Sequence, residues 1–253
     1  MKSVYVLGKM TFQQCASAKV FWFVLFFAGL FLFISPLLAS LSFTEKKRLM
    51  ADFSYLFLHL TVLVLSIFFG SFAFPMELEK QTCLLILARP VSRWQFLLGK
   101  YFGILLLLLV LQISMQFFVG MMLMSAEVEL HHIQVGLGIF MESSLVLALS
   151  LCASFFLSPA LASFFAASVF LTGQWLPDLK FFAMKSQDTS YILFSKILNF
   201  SIPHFYEIHW RNFEYLTEGV ATLKIFWGCI HTIMWLGFLS CMSLILLRRK
   251  DLV

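Results

Sequence analysis

Charged side chains are scarce in this chain of 253 residues: Asp, Glu, Lys and Arg make up 12% of it, whereas 61% of its residues are hydrophobic. Soluble domains carry about 25% charged and about 45–50% apolar residues, so the composition excludes an ordinary soluble domain. The apolar runs are distributed from Val20 to Leu247, with no soluble domain of ordinary size between them. We therefore expect a single integral membrane domain over residues 1–253.

The motifs of several enzyme classes are missing as well. The sequence holds no G-x-x-x-x-G-K-S/T, because Gly8-Lys9 and Gly99-Lys100 lack both the earlier glycine and the following Ser or Thr. The chain is therefore not expected to hydrolyse ATP itself. Neither H-E-x-x-H nor G-x-S-x-G occurs, so nothing signals a zinc protease or a hydrolase, and we assign no catalytic and no metal-binding residue.

The cysteines and the net charge give no sign of a cysteine-based site or of a nucleic-acid partner. The five cysteines form no C-x-x-C pair, and they are Cys15, Cys83, Cys152, Cys229 and Cys241. This spacing predicts neither a disulfide framework nor a zinc site. The net charge of +5 does not indicate a nucleic-acid partner, because the Lys and Arg residues flank the apolar runs, as membrane anchors do.

Six apolar segments are long enough to cross a bilayer as helices, which takes about 20 residues. The predicted spans are residues 20–43, 53–75, 101–125, 139–157, 160–176 and 224–247. Only Ser158-Pro159 separates the fourth span from the fifth, which predicts a tight helical hairpin. The expected fold class is an all-α integral membrane protein with six transmembrane helices.

Two less apolar segments are expected at the membrane surfaces. Residues 1–19 mix apolar and cationic side chains near helical spacing, which predicts an interfacial helix. Residues 177–223 form the longest polar segment but are half apolar, which predicts short external helices before the last span. Tyr191, Tyr206 and Trp210 are expected to anchor these helices in the outer interface.

A few ionisable or metal-binding side chains stand out against this apolar background. Glu142 is predicted at the interface or facing a cavity, near the outer end of the fourth span, since a mid-bilayer acid costs about 2.5–3.5 kcal/mol. His59, near one end of the second span, is interpreted as a packed or interfacial side chain rather than a ligand. Residues 121–132 combine Met and His, which admits a copper site. Structural packing is the favoured reading, because no ligand spacing repeats.

The densest charge lies between the second and third spans, in residues 76–100. Residues 77–88 are typical of a short helix along the membrane surface, because acidic side chains fall in its first turn, where the helix dipole favours them. Pro90 predicts a turn, since it biases Arg89 away from helical angles. Ser92 is the expected N-cap of the next helix. A solvated loop, whose charges only keep it out of lipid, is the alternative.

This segment carries three motifs: Glu77-x-Glu79-Lys80-x-Thr82, then Leu87-Ala88-Arg89-Pro90-Val91-Ser92-Arg93, then Gly99-Lys100. Together they resemble the signature of ABC-2 type ABC-transporter permeases, and the similarity is closest to the branch that includes permeases for nitrous-oxide-reductase maturation and gliding motility. The six-span layout and the ending Arg248-Arg249-Lys250-Asp251-Leu252 are also similar to that family.

The resemblance implies that residues 76–100 are a cytoplasmic coupling segment that docks into an ATPase. The coupling residues that it implies are Glu77, Glu79, Lys80, Thr82, Arg89, Pro90, Val91, Ser92, Arg93, Gly99 and Lys100. The chain would then be a permease subunit that moves or extrudes a substrate across the inner membrane, and ATP and Mg²⁺ would bind in the partner rather than in this chain.

The partners that the resemblance implies are two copies of an ABC ATPase subunit, a second copy of this chain, and accessory periplasmic or membrane proteins in the lipid bilayer. Ten of the 18 Lys and Arg residues fall on the inner side if both termini are cytoplasmic, which favours that orientation. An intramembrane enzyme or assembly scaffold that uses Glu142, His131 and His132 is the alternative function. It leaves the charged segment unexplained. The sequence indicates no substrate.

Overall fold

The computed structural model describes residues 2–40, 46–75, 92–124, 131–186 and 188–249. Every regular element within these ranges is a helix, which confirms the predicted all-α membrane fold. In chain order the helices are α1 (Lys2–Ala16), α2 (Lys19–Ser40), α3 (Lys46–Phe72), α4 (Arg93–Met124), α5 (His132–Ala153), α6 (Pro159–Gln174), α7 (Leu176–Ser186), α8 (Thr189–Ser201), α9 (Phe205–Ile208), α10 (Phe213–Glu218) and α11 (Thr222–Arg249).

Five of these described helices are long and apolar enough to cross a membrane, namely α2, α3, α4, α5 and α11. A sixth candidate is the pair α6 and α7, which is bent by 59° where the two helices meet. The break between α5 and α6 falls at Ser158-Pro159, where the sequence predicts a hairpin. Pro159 takes the first position of α6, where its missing N–H costs no helical hydrogen bond.

Helix α5 is the centre of the bundle. Of the residues in its apolar span, 89% are buried, against 22% in α2 and in α11. It packs against α3 and α11 most extensively, and also against α4 and α6. Helix α5 therefore lies inside the bundle, while α2 and α11 expose aromatic side chains at the perimeter.

Helix α3 extends beyond the predicted span 53–75. It begins at Lys46, and its first turns carry Arg48 and Asp52 on the same face, with 3.9 Å between Nε and Oδ2. This extension changes the depth of His59, which lies in the middle of α3 rather than near one end. The prediction that His59 occupies a helix end is therefore wrong.

The segment that follows α6 contains short helices, but one of its predicted anchors is part of the core. Trp210 is only 1% exposed, and its Nε1 donates a hydrogen bond of 2.9 Å to the carbonyl oxygen of Glu207. The ring lies against Gly138 of α5, where an added Cβ would approach its Cε3 within 3.1 Å. Trp210 is therefore a buried wedge, and its assignment as an interfacial anchor is wrong.

Candidate functional site

The structure describes only part of the predicted coupling segment. Ser92, Arg93, Gly99 and Lys100 lie at the start of α4. The other predicted coupling residues lie outside the described ranges, and they are Glu77, Glu79, Lys80, Thr82, Arg89, Pro90 and Val91.

Ser92 caps the N-terminus of α4. Its Oγ accepts a hydrogen bond of 3.3 Å from the backbone N–H of Gln95, and its own N–H donates one of 3.2 Å to Oε1 of Gln95. This reciprocal pair is a capping box, which satisfies two backbone donors that the first turn leaves free. The N-cap predicted from the sequence is confirmed.

Arg93 connects α4 to the end of α11. Its Nη1 donates a hydrogen bond of 2.8 Å to the carbonyl oxygen of Leu247. The last carbonyls of a helix have no partner within the helix and carry partial negative charge, so a guanidinium is a favourable partner there. The beginning of α4 and the last turns of α11 are thus held together.

Lys100 connects α4 to the chain that leaves α3. The side chain is buried, and its Nζ donates a hydrogen bond of 2.7 Å to the carbonyl oxygen of Ala73. The ammonium also lies 5.8 Å from the centre of the Phe96 ring. Ala73 lies just before the segment 76–91, so the hydrogen bond from Lys100 fixes one end of that segment to α4.

Gly99 belongs to a close contact between α1 and α4. A Cβ at this position would lie 2.7 Å from Cβ of Leu7, and a Cβ at Gly103 would lie 2.6 Å from the carbonyl oxygen of Gly8. Real Cβ atoms do not approach other atoms so closely, so both positions require the absence of a side chain. The N-terminal helix is therefore packed directly on the first turns of α4.

One apolar cluster unites the helix ends around this region. We call it the end cluster, and its buried members are Phe74, Phe96, Leu97, Leu151, Phe155 and Leu247. They come from the chain after α3, the first turns of α4, the end of α5 with the turn beyond it, and the end of α11. Segment 76–91 therefore begins and ends at a single packed unit.

A second site lies deep in the bundle and was missed by the sequence analysis. Glu142 of α5 is 1% exposed, and its carboxylate contacts two histidines. Its Oε2 lies 2.7 Å from Nε2 of His59, and its Oε1 lies 3.0 Å from Nδ1 of His209. We call His59, Glu142 and His209 the polar triad. Glu142 is thus paired inside the protein, and its predicted place at the interface or a cavity is wrong.

Neighbouring polar groups complete the surroundings of the polar triad. The side chain of Gln174, at the end of α6, donates a hydrogen bond of 2.8 Å to Oε1 of Glu142. Arg211, in the connection before α10, interacts electrostatically with the carboxylates of Glu142 and Asp52. Burial lowers the pKa of Arg211, and these two acids oppose that effect. The buried acid is consequently surrounded by polar side chains from α3, α6 and the connection between α9 and α10.

The structure describes only part of the predicted Met/His stretch, because residues 125–130 lie outside its ranges. Nδ1 of His132 is hydrogen-bonded to the hydroxyl of Tyr55, and the side chain of Met121 is 57% exposed. Two groups of His and acidic side chains do converge among the described residues, and neither includes His131 or His132. The contact of His132 agrees with packing at that residue, and the packing interpretation of the whole stretch stays a prediction.

A family model described as ABC-2 family transporter protein matches residues 9–173. The matched range runs from within α1 to the last turn of α6, so it includes the predicted coupling segment, the end of α3 and the central helix. No curated protein matches the chain. Because the family model covers well over half of the sequence, this chain belongs to the ABC-2 family of transporter proteins.

Proposed function

We propose that this chain is the membrane permease subunit that couples ATP hydrolysis in a separate ATPase subunit to substrate movement, through residues 76–100. Membership of the ABC-2 family supports a permease component of an ABC transporter. The missing phosphate-binding loop motif supports the view that ATP and Mg²⁺ bind in the partner. The observation that carries the proposal is the attachment of the coupling segment to the end cluster.

Two hydrogen bonds and one apolar cluster connect this attachment to the ends of several spanning helices. Lys100 joins α4 to Ala73 beyond α3, and Arg93 joins α4 to Leu247 in α11. A force applied to residues 76–91 therefore acts on the ends of three spanning helices, and the end cluster adds α5. Because packed helices move as rigid units, movement of the ATPase would be transmitted along them to the opposite side of the membrane.

The assembly that we propose contains two copies of this chain and two ATPase subunits in the inner membrane, with both termini and residues 76–100 in the cytoplasm. Substrate would pass along a route formed by the paired permeases, with accessory periplasmic or membrane proteins supplying or receiving it. The similarity to the nitrous-oxide-reductase maturation and gliding-motility branch stays a prediction.

The proposed coupling is tested by purifying this chain together with its ATPase in nanodiscs. The variant Glu79→Ala with Arg93→Ala removes one acidic and one basic group from the coupling segment. We expect normal membrane insertion, together with weaker ATPase association or hydrolysis that no longer depends on the permease. Truncating one partner of a buried charged contact costs about 2–5 kcal/mol.

The matched control is Lys46→Ala with Lys47→Ala. Both lysines are exposed in the first turn of α3, and the whole of this helix separates them from Ala73. Its 27 residues span about 40 Å. Loss of ATPase association in the control pair, with none in the coupling pair, would refute the proposal. Mass measurement of the purified complex tests the proposed two-plus-two stoichiometry.

The alternative function, an intramembrane enzyme or scaffold built on Glu142, His131 and His132, has no supporting geometry among the described residues. Glu142 is hydrogen-bonded to Gln174 and His209, whereas His132 is hydrogen-bonded to Tyr55. These residues do not form one group among the described side chains. The permease is therefore the function that the observations support best.

A further inference from the structure

We propose that the polar triad, His59, Glu142 and His209, binds a divalent transition-metal ion of the zinc class within the membrane domain. The proposed site contains no residue of the coupling segment. It does not depend on which ATPase or substrate the permease uses.

The donor set of the polar triad suits such an ion. It offers two imidazole nitrogens and one carboxylate oxygen, the combination that binds zinc in several enzymes while leaving a fourth position open. One ligand atom from each residue lies within 4.8 Å of the other two. Ligand atoms around a tetrahedral zinc ion lie about 3.3 Å apart, given bonds of about 2.0–2.1 Å. The contacts of 2.7 and 3.0 Å at the carboxylate therefore need only small side-chain adjustments.

The orientation of His59 is a second and independent observation. Its side chain is 7% exposed, and its Nε2 approaches Oε2 of Glu142 to 2.7 Å. Despite this approach, Nε2 has no hydrogen bond of acceptable geometry in the described part of the chain. The two atoms are therefore in close contact without the alignment of a hydrogen bond. A cation between the imidazole nitrogen and the carboxylate would satisfy both atoms, because each would direct a lone pair at it.

Gln174 positions the Glu142 carboxylate by contacting only one of its two oxygens. Its Nε2 donates to Oε1 of Glu142 over 2.8 Å, and Oε2 remains directed at His59. Groups that hydrogen-bond to a ligand in this way orient it towards the metal, and their loss costs 10–100-fold in metal affinity. Gln174 is therefore a positioning residue for the proposed site.

His209 provides the route by which an ion would reach the site. Glu142 and His59 belong to spanning helices and are buried, whereas His209 follows α9 in the external connection and its side chain is 19% exposed. An ion would therefore meet His209 first and then the two buried ligands.

Arg211 opposes a cation at this site by its charge. The same guanidinium interacts with Asp52, so it retains an acidic partner when Glu142 binds metal. We expect Arg211 to weaken the affinity of the polar triad, in keeping with a site that releases its ion.

The test uses the full chain in nanodiscs, stripped with a chelator and then titrated with Zn²⁺ and, for its visible spectrum, with Co²⁺. We expect one ion per chain and a Co²⁺ spectrum of four-coordinate nitrogen and oxygen ligands. His209→Ala and Glu142→Gln should each weaken binding at least about 100-fold, and Gln174→Ala about 10–100-fold. Arg211→Gln should tighten binding, because it removes a nearby positive charge.

The matched control is the other converging group among the described residues, which consists of His204, Glu207 and His231. His204→Ala with His231→Ala should leave the affinity of the polar triad unchanged. His209 is partly exposed in a short connection, so His209→Ala keeps the test decisive if Glu142→Gln does not fold. The proposal is overturned if the wild type binds no ion at micromolar concentration. It is equally overturned if His209→Ala binds Zn²⁺ as tightly as the wild type, or if only the control pair reduces binding.

Discussion

Nη1 of Arg93 donates a hydrogen bond of 2.8 Å to the carbonyl oxygen of Leu247, and this contact joins the first turn of α4 to the end of α11. The two residues are separated by 154 positions in the sequence. This contact holds the start of α4 to the last spanning helix.

Replacing Arg93 by Met should destabilise the protein by about 1.5–3 kcal/mol, because a charged hydrogen bond is lost and a carbonyl loses its partner. Thermal unfolding in detergent measures the effect. Arg48→Met is the control: its 3.9 Å contact with Asp52 is exposed, so it should cost no more than about 1 kcal/mol. Equal effects of the two substitutions would show that the contact with Leu247 contributes nothing.

Labelling from one side of the membrane tests the proposed orientation. Ser92 is exposed at the start of α4, and Thr189 is exposed at the start of α8, in the segment predicted to be external. A cysteine at position 189 should react with an impermeant thiol reagent in intact cells. A cysteine at position 92 should react only after permeabilisation, with the unsubstituted chain as the background. The opposite pattern would invert the topology.

Gly103→Ala should separate α1 from α4. The added methyl group would lie 2.6 Å from the backbone oxygen of Gly8, which cannot rotate away. Overpacking of this kind costs about 1–3 kcal/mol. Gly120 is the control on the same helix, because no atom lies within 4 Å of its added Cβ. Gly120→Ala should be neutral or stabilise the helix by up to about 1 kcal/mol. Equal unfolding temperatures for the two variants would contradict this prediction.

Truncation of Trp210 tests its role as a buried wedge. Trp210→Ala should lower the free energy of unfolding by about 3–5 kcal/mol, because a cavity remains beside Gly138. Trp227 of α11 is 60% exposed, so Trp227→Ala is the matched control and should have a much smaller effect. A larger effect at Trp227 would restore the interpretation of Trp210 as an interfacial anchor.

Glu142→Ala should lower the free energy of unfolding by about 3–5 kcal/mol. The substitution removes the buried partner of two histidines and of the Gln174 amide. Glu142→Gln, which keeps the shape and one carbonyl acceptor, should cost less. Glu207→Ala removes an acid whose side chain is 46% exposed, and we expect a change within about 0.5 kcal/mol. Chemical denaturation of the three variants in the metal-free state ranks them, and a similar cost at Glu207 and Glu142 would refute the prediction.

Features encoded by neighbouring residues could be predicted from the sequence. Apolar runs of sufficient length give the spans, since crossing the hydrocarbon requires about 20 residues regardless of tertiary context. The cap at Ser92 was predictable for the same reason, because Ser92 and Gln95 are three positions apart and interact within one turn.

The polar triad was not predictable, because its members lie on α3, α5 and the connection after α9. Each looks isolated in the sequence, and an isolated His is normally a packing or surface residue. The available signal was Glu142 itself, an acid in an otherwise apolar helix, which requires a buried partner wherever it is not solvated. Which partner it finds depends on how α3, α5 and the connection after α9 pack together.

Trp210 illustrates a different kind of error. A tryptophan with one polar atom suits the membrane interface and the protein interior equally well, provided that its N–H finds an acceptor. Here the acceptor is the carbonyl oxygen of Glu207, only three positions earlier. Composition cannot distinguish these environments, because the deciding feature is the space that Gly138 leaves on α5.

A change in bilayer thickness should affect the outer helices of this protein more than its central helix. Since α5 buries 89% of its apolar span and α2 and α11 only 22% of theirs, lipid tails meet these two outer helices far more than α5. Those helices would absorb a mismatch by tilting, at a cost of fractions of a kcal/mol per Å. The carboxylate of Glu142, on the one helix that lipid scarcely touches, is therefore insulated from changes in membrane composition, and its surroundings should be the same in thin and thick membranes.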